Sequence, residues 1–279
     1  MNRRGFTLVE MCVVLVVIGL LIGTILPPLM AWRKASQESL TQSNLQTLLR
    51  ASAAYVQANG CLPCPTPVMA AANGFGVVRG DVSASPAPCG SCPAWEGVAP
   101  FVSLGLPLAI AKDGWGRWIR MRVDPALTAA FGIVPPFASC STGTACVSST
   151  SAVNGFCKVG IDATNRINVV TPPSTTQQKA AILFLSHGAN GFGAYVRKEV
   201  VDGANPSLIG FPAGTSSCAS GGREACNANA EGADDANRPS FYNATFVVSD
   251  ANGFDDLMVY LDRNGLAAFF GNGACASAW

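Results

Sequence analysis

The chain has 279 residues, enough to bury one substantial core or one core with insertions. Only 13% of residues are charged, the formal net charge is +1, and no Lys/Arg cluster follows Lys34. Proteins that bind nucleic acid by neutralising phosphates carry a basic stripe, so bulk charge gives that function no support and a small local patch would have to supply it.

The chain opens MNRRGFTLVEMCVVLVVIGLLIGTILPPLMAW, with no charge from Met11 to Met30. As a helix, those residues span about 30 Å, the thickness of a bilayer's hydrocarbon core. Arg3 and Arg4 precede the apolar run, which predicts a cytoplasmic N-terminus and an exported remainder. A secretory signal ends in a small-residue cleavage site after its apolar core, and none is clear here. Glu10 stands near the start of the run. A carboxylate at the bilayer centre costs roughly 2.5 kcal/mol or more, so a partner is needed. Phe6 lies four residues before Glu10, on the same helical face.

Gly5-Phe6-Thr7-Leu8-Val9-Glu10 resembles the processing site of type IV prepilins and type II secretion pseudopilins. The resemblance implies cleavage by a membrane peptidase after Gly5, N-methylation of the new terminus at Phe6, and retention of the apolar segment as anchor and filament core. It further implies that the Phe6 α-amine neutralises Glu10 of a neighbouring subunit and so sets register. A plain signal anchor, with an incidental Glu near the headgroups, is the alternative. Loss of Arg3 and Arg4 with the leader would leave 16 basic against 17 acidic residues, a net of −1.

Pro27-Pro28 predicts a kink or local melting in the helix. Beyond it, Leu45, Leu48, Leu49, Ser52 and Val56 follow 3.6-residue spacing, with Gln42, Asn44, Gln46 and Arg50 off that stripe. Asn59-Gly60 is a stop signal. A helix over residues 6 to about 58 would be roughly 80 Å long. The chain thus divides into a leader (1–5), a transmembrane or filament-core helix (6–28), an amphipathic half (29–59) and a globular head (60–279).

Gly, Pro, Ser and Asn punctuate the head, which favours short strands and long loops. Strands are predicted at Trp118–Val123, Ile167–Val170, Ala181–Ser186, Gly193–Val196, Ala244–Val248 and Leu257–Leu261. Stretches near 138–155 and 212–240 read as mobile insertions, each of which its cysteines could staple. Cys12 lies in the apolar run; Cys61, Cys64, Cys89, Cys92, Cys140, Cys146, Cys157, Cys218, Cys226 and Cys275 lie in the head. An even set of that size predicts a disulfide framework in an oxidising compartment, with pairing open. A Cys64–Cys92 bridge is one choice among many. The rival reading of Cys61-x-x-Cys64 and Cys89-x-x-Cys92 is a zinc knuckle, disfavoured by the long intervening segment and the exported setting. Pro63 and Pro65 make a thioredoxin-like site a poor fit.

Short head motifs extend the resemblance. Leu62-Pro63-Cys64-Pro65 is similar to the LPCP of a pilin-like subfamily. Asp113-Gly114-Trp115-Gly116-Arg117, Ser186-His187-Gly188-Ala189-Asn190-Gly191 and Phe254-Asp255-Asp256-Leu257 resemble, in order, three elements of the major pseudopilins. His187, the sole histidine, invites a hydrolase triad with Ser186 and Asp255, but adjacent strand residues point to opposite faces and no G-x-S-x-G elbow exists. A local turn or surface role is expected for it instead. Asp250, Asn252, Asp255 and Asp256 offer hard oxygen ligands. The resemblance implies calcium there, against a turn and capping role. Trp95, Trp115, Trp118, Phe101 and Phe137 are expected in the core.

The expected fold is α+β and pilin-like, a long N-terminal helix packed on an antiparallel sheet with disulfide-stapled loops. The expected function is that of a minor or specialised structural subunit of a type II secretion pseudopilus or type IV pilus-like filament, not an enzyme. Partners implied are the prepilin peptidase/methyltransferase, other pilins or pseudopilins and an inner-membrane assembly platform. The head would be periplasmic on a single-pass inner-membrane anchor. A tip-located minor pilin for adhesion or DNA uptake is the alternative, and a membrane-anchored enzyme a remote one.

Overall fold

The computed structural model describes residues 8–70, 74–81, 83, 87–124, 127–128, 167–171, 177–196, 207–210, 222–229, 241–242, 254–262 and 265. Helix α1 runs Leu8–Asn59, 52 residues and about 78 Å. Of the kink or local melting expected at Pro27-Pro28, local melting is not seen, since α1 is helical throughout. Gly60, at φ 74°, ends it, and its N–H reaches Val56 O at 2.7 Å.

The two halves of α1 meet different surroundings. Leu8 to Ile22 and Leu26 to Trp32 present exposed side chains. Burial starts at Thr41 and follows the predicted stripe through Leu45, Leu48, Leu49, Ser52 and Val56. Asn44 departs from expectation, because it is buried and donates to Ala109 O (3.2 Å) and Lys112 O (2.7 Å). Lys112 O directly follows a short 3₁₀ turn and gains Asn44 as its donor, while Ala109 O already accepts from Lys112 N–H.

The strands are β1 (Glu96–Val98), β2 (Arg120–Val123), β3 (Ile167–Val170), β4 (Gln177–Ala180), β5 (Ile182–Ser186), β6 (Tyr195–Val196), β7 (Ser207–Leu208), β8 (Phe241–Tyr242) and β9 (Leu257–Leu261). The main sheet has four strands, all antiparallel, ordered β1-β2-β5-β9. Alternation assigns its faces. Met121, Val123, Ile182, Phe184, Leu257, Val259 and Leu261 pack on α1, while Leu183, Leu185, Met258 and Tyr260 pack on Ile167, Val169 and Ala180. A second sheet is ordered β4-β3-β8, and β6 pairs with β7. The predicted strand near Ala244–Val248 lies outside the described residues. The expected loop near 212–240 contains helix α2 (Gly222–Asn229) instead.

Cys61–Cys89 and Cys64–Cys92 are disulfides, each spanning 28 residues. They pin the segment after α1 to the segment leading into β1, and they consume all four sulfurs of the zinc-knuckle reading. Cys226 is disulfide-bonded as well. Cys140, Cys146, Cys157, Cys218 and Cys275 lie outside the described residues. Phe75, Phe101 and Trp118 stack edge-on and face-on in a satellite core, whereas Trp95 and Trp115 are only partly buried and Phe137 is outside the described residues.

Closing a loop of this length constrains the unfolded chain by about 3–4 kcal/mol, and a second staple beside the first adds about 2–3 kcal/mol. Cys61→Ser/Cys89→Ser should therefore lower the thermal midpoint of the detergent-solubilised chain by about 5–10 °C. Removing both pairs should lower it about twice as far. Circular-dichroism melts read both shifts.

Candidate functional site

Two regions carry unusual chemistry. The first is the exposed apolar half of α1. Glu10 sits in its first turn and is the one ionisable carboxylate from Leu8 to Trp32. Cys12, a free exposed thiol, is beside it. Gly5 and Phe6 lie outside the described residues.

The second region is a buried polar centre beyond the far face of the main sheet. The alternation Arg120-Met121-Arg122 turns both arginines away from α1. Each is buried, and both bind Glu96 on the neighbouring strand β1, Arg120 to Oε1 and Arg122 to Oε2 at 3.0 Å. Arg120 is only 1% exposed. It also donates to Ala228 O (3.2 Å) and Asn227 O (3.5 Å) at the C-terminal end of α2, where the helix dipole favours a cation. Its guanidinium lies 5.2 Å from the Tyr195 ring centre.

His187 is 1% exposed, which corrects the expected turn or surface role. Its Nε2 faces Arg120 Nη1 at 3.1 Å. Guanidinium can only donate, so Nε2 accepts and the ring proton sits on Nδ1. That Nδ1 points to Asp256 Oδ1 at 3.4 Å. Burial, then the Arg120 charge, hold His187 well below the ordinary histidine range, so the ring is neutral. Ser186 Oγ donates to Asp113 Oδ2 at 2.8 Å, so Ser186 and His187 do not share a proton.

The three head motifs converge here. Asp113 Oδ1 accepts from Trp115 N–H (3.0 Å) and Arg117 N–H (2.8 Å), closing the first turn. Arg117 donates to Gly188 O and Ala189 O, clamping the second. A side chain at Gly188, φ 52°, would strike Asp255, and one at Gly191, φ 69°, would strike Arg117. Asp255 Oδ2 accepts from Asn190 N–H at 2.8 Å, joining the third.

An acidic group lies at the junction. Glu224, Asp255 and Asp256 bring oxygens within 4.8 Å of one another. Glu224 Oε1 accepts from Asn190 Nδ2 (2.7 Å) and Asp255 N–H (3.1 Å), and Asp256 Oδ2 accepts from Asn227 Nδ2 (2.7 Å). Asp255 Oδ1 and Asp256 Oδ1 are buried without a hydrogen-bond partner. Burial, then the Asp256 charge, push Glu224 up to about 8. Burial also pushes Asp256 well above the carboxylate range. Asp255 and Asp256 were anticipated as ligands, whereas Asp250 and Asn252 lie outside the described residues. Glu224 and Asn227 were missed, since a Gly/Ala/Asn-rich stretch gives no helix signal. Glu96, Arg120 and Arg122 were missed too, although two arginines on one face of an apolar strand are a visible anomaly.

Residues 1–26 match a family model described as the prokaryotic N-terminal methylation motif. Neither a curated protein nor a solved structure matches the chain. The chain therefore carries a prepilin-type N-terminus, which supports a pilin or pseudopilin subunit processed by a prepilin peptidase.

Glu224, ordinarily near 4.5, holds its proton in the fold up to about pH 8. In that window the folded state binds protons that the unfolded chain has released, so stability falls as pH rises. His187 acts oppositely, but only below its ordinary value of 6.5. In chelator, stability should thus decline from pH 6.5 to 8, and Glu224→Gln should flatten that slope in urea titrations.

Proposed function

We propose that this chain is a structural subunit, minor or specialised, of a type II secretion pseudopilus or type IV pilus-like filament. One observation carries the reading: the exposed apolar stretch of α1 overlaps the methylation-motif match, and Glu10 is the one carboxylate from Leu8 to Trp32. Such a surface needs lipid or like helices as a cover. Prepilin peptidase cuts between Gly5 and Phe6 and methylates Phe6. The new α-amine neutralises Glu10 of a neighbour, and residues 6–28 pack laterally with other pilins or pseudopilins on an inner-membrane assembly platform. The disulfides support a periplasmic head on a single-pass anchor. Ser186 Oγ is committed to Asp113 Oδ2, which argues against a Ser186–His187 catalytic pair.

The acidic group fits a hard divalent cation. The polar centre sets Glu96, Asp113, Glu224, Asp255 and Asp256 against Arg117, Arg120 and Arg122. Fully ionised, it would carry an excess of two negative charges. Two protons, on the raised Glu224 and Asp256, balance it, and so would one calcium ion. Glu224, Asp255 and Asp256 would hold the ion, which supplies positive charge where Asp255 Oδ1 has no hydrogen bond and Asp256 Oδ1 has only the His187 Nδ1 at 3.4 Å.

Mass analysis should find the mature chain beginning at N-methylated Phe6 in cells with the peptidase, and at Met1 in cells without it. Glu10→Val should be processed normally yet lost from sheared filaments. For the cation, calcium should raise the thermal midpoint at pH 8 by several degrees. The gain should disappear at pH 5.5, where protons compete, and in Glu224→Gln. No calcium response at pH 8 would sink the cation proposal alone.

A further inference from the structure

The turn at residues 113–117 packs directly on α1, close in sequence to its exposed apolar stretch. Gly114 packs against the Gln37 backbone with no room for a side chain, and its N–H reaches Thr41 Oγ1 at 2.8 Å. Residues 113–117 therefore sit beside α1 just past Trp32, Arg33 and Lys34. Trp32 is 69% exposed, and Arg33 and Lys34 are exposed as well. Trp115 is only partly buried, although a buried tryptophan was expected there.

The spacing fits a bilayer. With Glu10 at the inner boundary of the hydrocarbon, Trp32 falls about 33 Å further on, at the outer boundary. Gln37 lies about 7 Å beyond Trp32, which is the depth of one headgroup layer. Tryptophan favours that layer, and two exposed cations there complement lipid phosphates. Lys112 is excluded from this count, because its ammonium lies over the Trp118 ring at 4.9 Å. Arg117 is excluded because it clamps the 188–189 turn. Lys34 also faces Glu38 at 4.0 Å.

We propose that Trp32, Arg33 and Lys34, together with the Trp115 turn, form a foot that seats the head on anionic lipid headgroups before assembly. The contact rests on the membrane reading of α1. It restrains the head against the bilayer and presents one orientation to the next subunit.

The test uses the full chain in nanodiscs loaded with one copy each, so that a second copy cannot supply the contact. Discs of phosphatidylcholine alone are compared with discs containing 30% (about one lipid in three) phosphatidylglycerol, both with brominated acyl chains. Trp32→Phe and Trp115→Phe should each remove part of the tryptophan quenching. The Trp115 part should fall at least twofold without phosphatidylglycerol, or in Arg33→Gln/Lys34→Gln. Hydrogen exchange of residues 113–117 in the unaltered chain should slow at least twofold in the anionic discs, which needs no substitution. If Trp32 is quenched but the Trp115 turn neither quenches nor slows, the foot is wrong. If Trp32 is not quenched either, the membrane placement of α1 falls first.

Discussion

Arg120 is the charge around which the head closes. Its guanidinium reaches Glu96 on β1, His187 after β5, the last carbonyls of α2 and the face of Tyr195 on β6. Removing one partner from a buried ion pair costs about 3–5 kcal/mol, because the other charge is left uncompensated. A buried arginine with such a set of acceptors leaves its neighbours little freedom. It dictates the histidine tautomer, and the tautomer aims Nδ1 at Asp256. It also draws α2 onto the sheet, and α2 delivers Glu224 to Asp255 and Asp256. The acidic group is thus a consequence of where one cation had to find its acceptors.

How much of this was legible depended on whether the signal was local. The exposed half of α1 announces itself through twenty uncharged residues, and the stripe from Leu45 to Val56 through its period. Ile167–Val170 and Leu257–Leu261 were placed to the residue by apolar content between turn signals. Trp118 was assigned to a strand, yet it forms only isolated bridges to Lys112 and Tyr195, and β2 starts at Arg120. β1 is three residues, Glu-Gly-Val, too short to show a period.

The illegible parts are those decided by distant partners. Asn44 looked solvent-facing by spacing, but carbonyls at 109 and 112 claim it. His187 looked like a turn residue, but Arg120, far away in sequence, claims it. The helix α2 has poor intrinsic propensity, being built around Gly222, Asn227 and Asn229, and its place is set by tertiary contacts. The three head motifs were each visible, whereas their convergence was not. Asp113 to Ser186 and Arg117 to Gly188 are long-range contacts that no window of sequence contains.

A membrane-embedded helix gains nothing hydrophobic by leaving lipid for like helices, because acyl chains are as apolar as leucine. On the filament reading, residues 11–30 would make a filament core cohesive through packing, but apolar contact alone would not drive them out of a bilayer. Glu10 breaks that symmetry. In lipid its carboxylate is a liability, and beside a neighbour's α-amine it becomes half of an ion pair. On the filament reading, the direction of assembly comes from one charge at the start of α1. The head is joined to that charge by a helix that runs unbroken through Pro27 and Pro28 and is gripped by Thr41, Asn44 and the apolar stripe. Glu10 and the head are thus joined through one continuous helical segment.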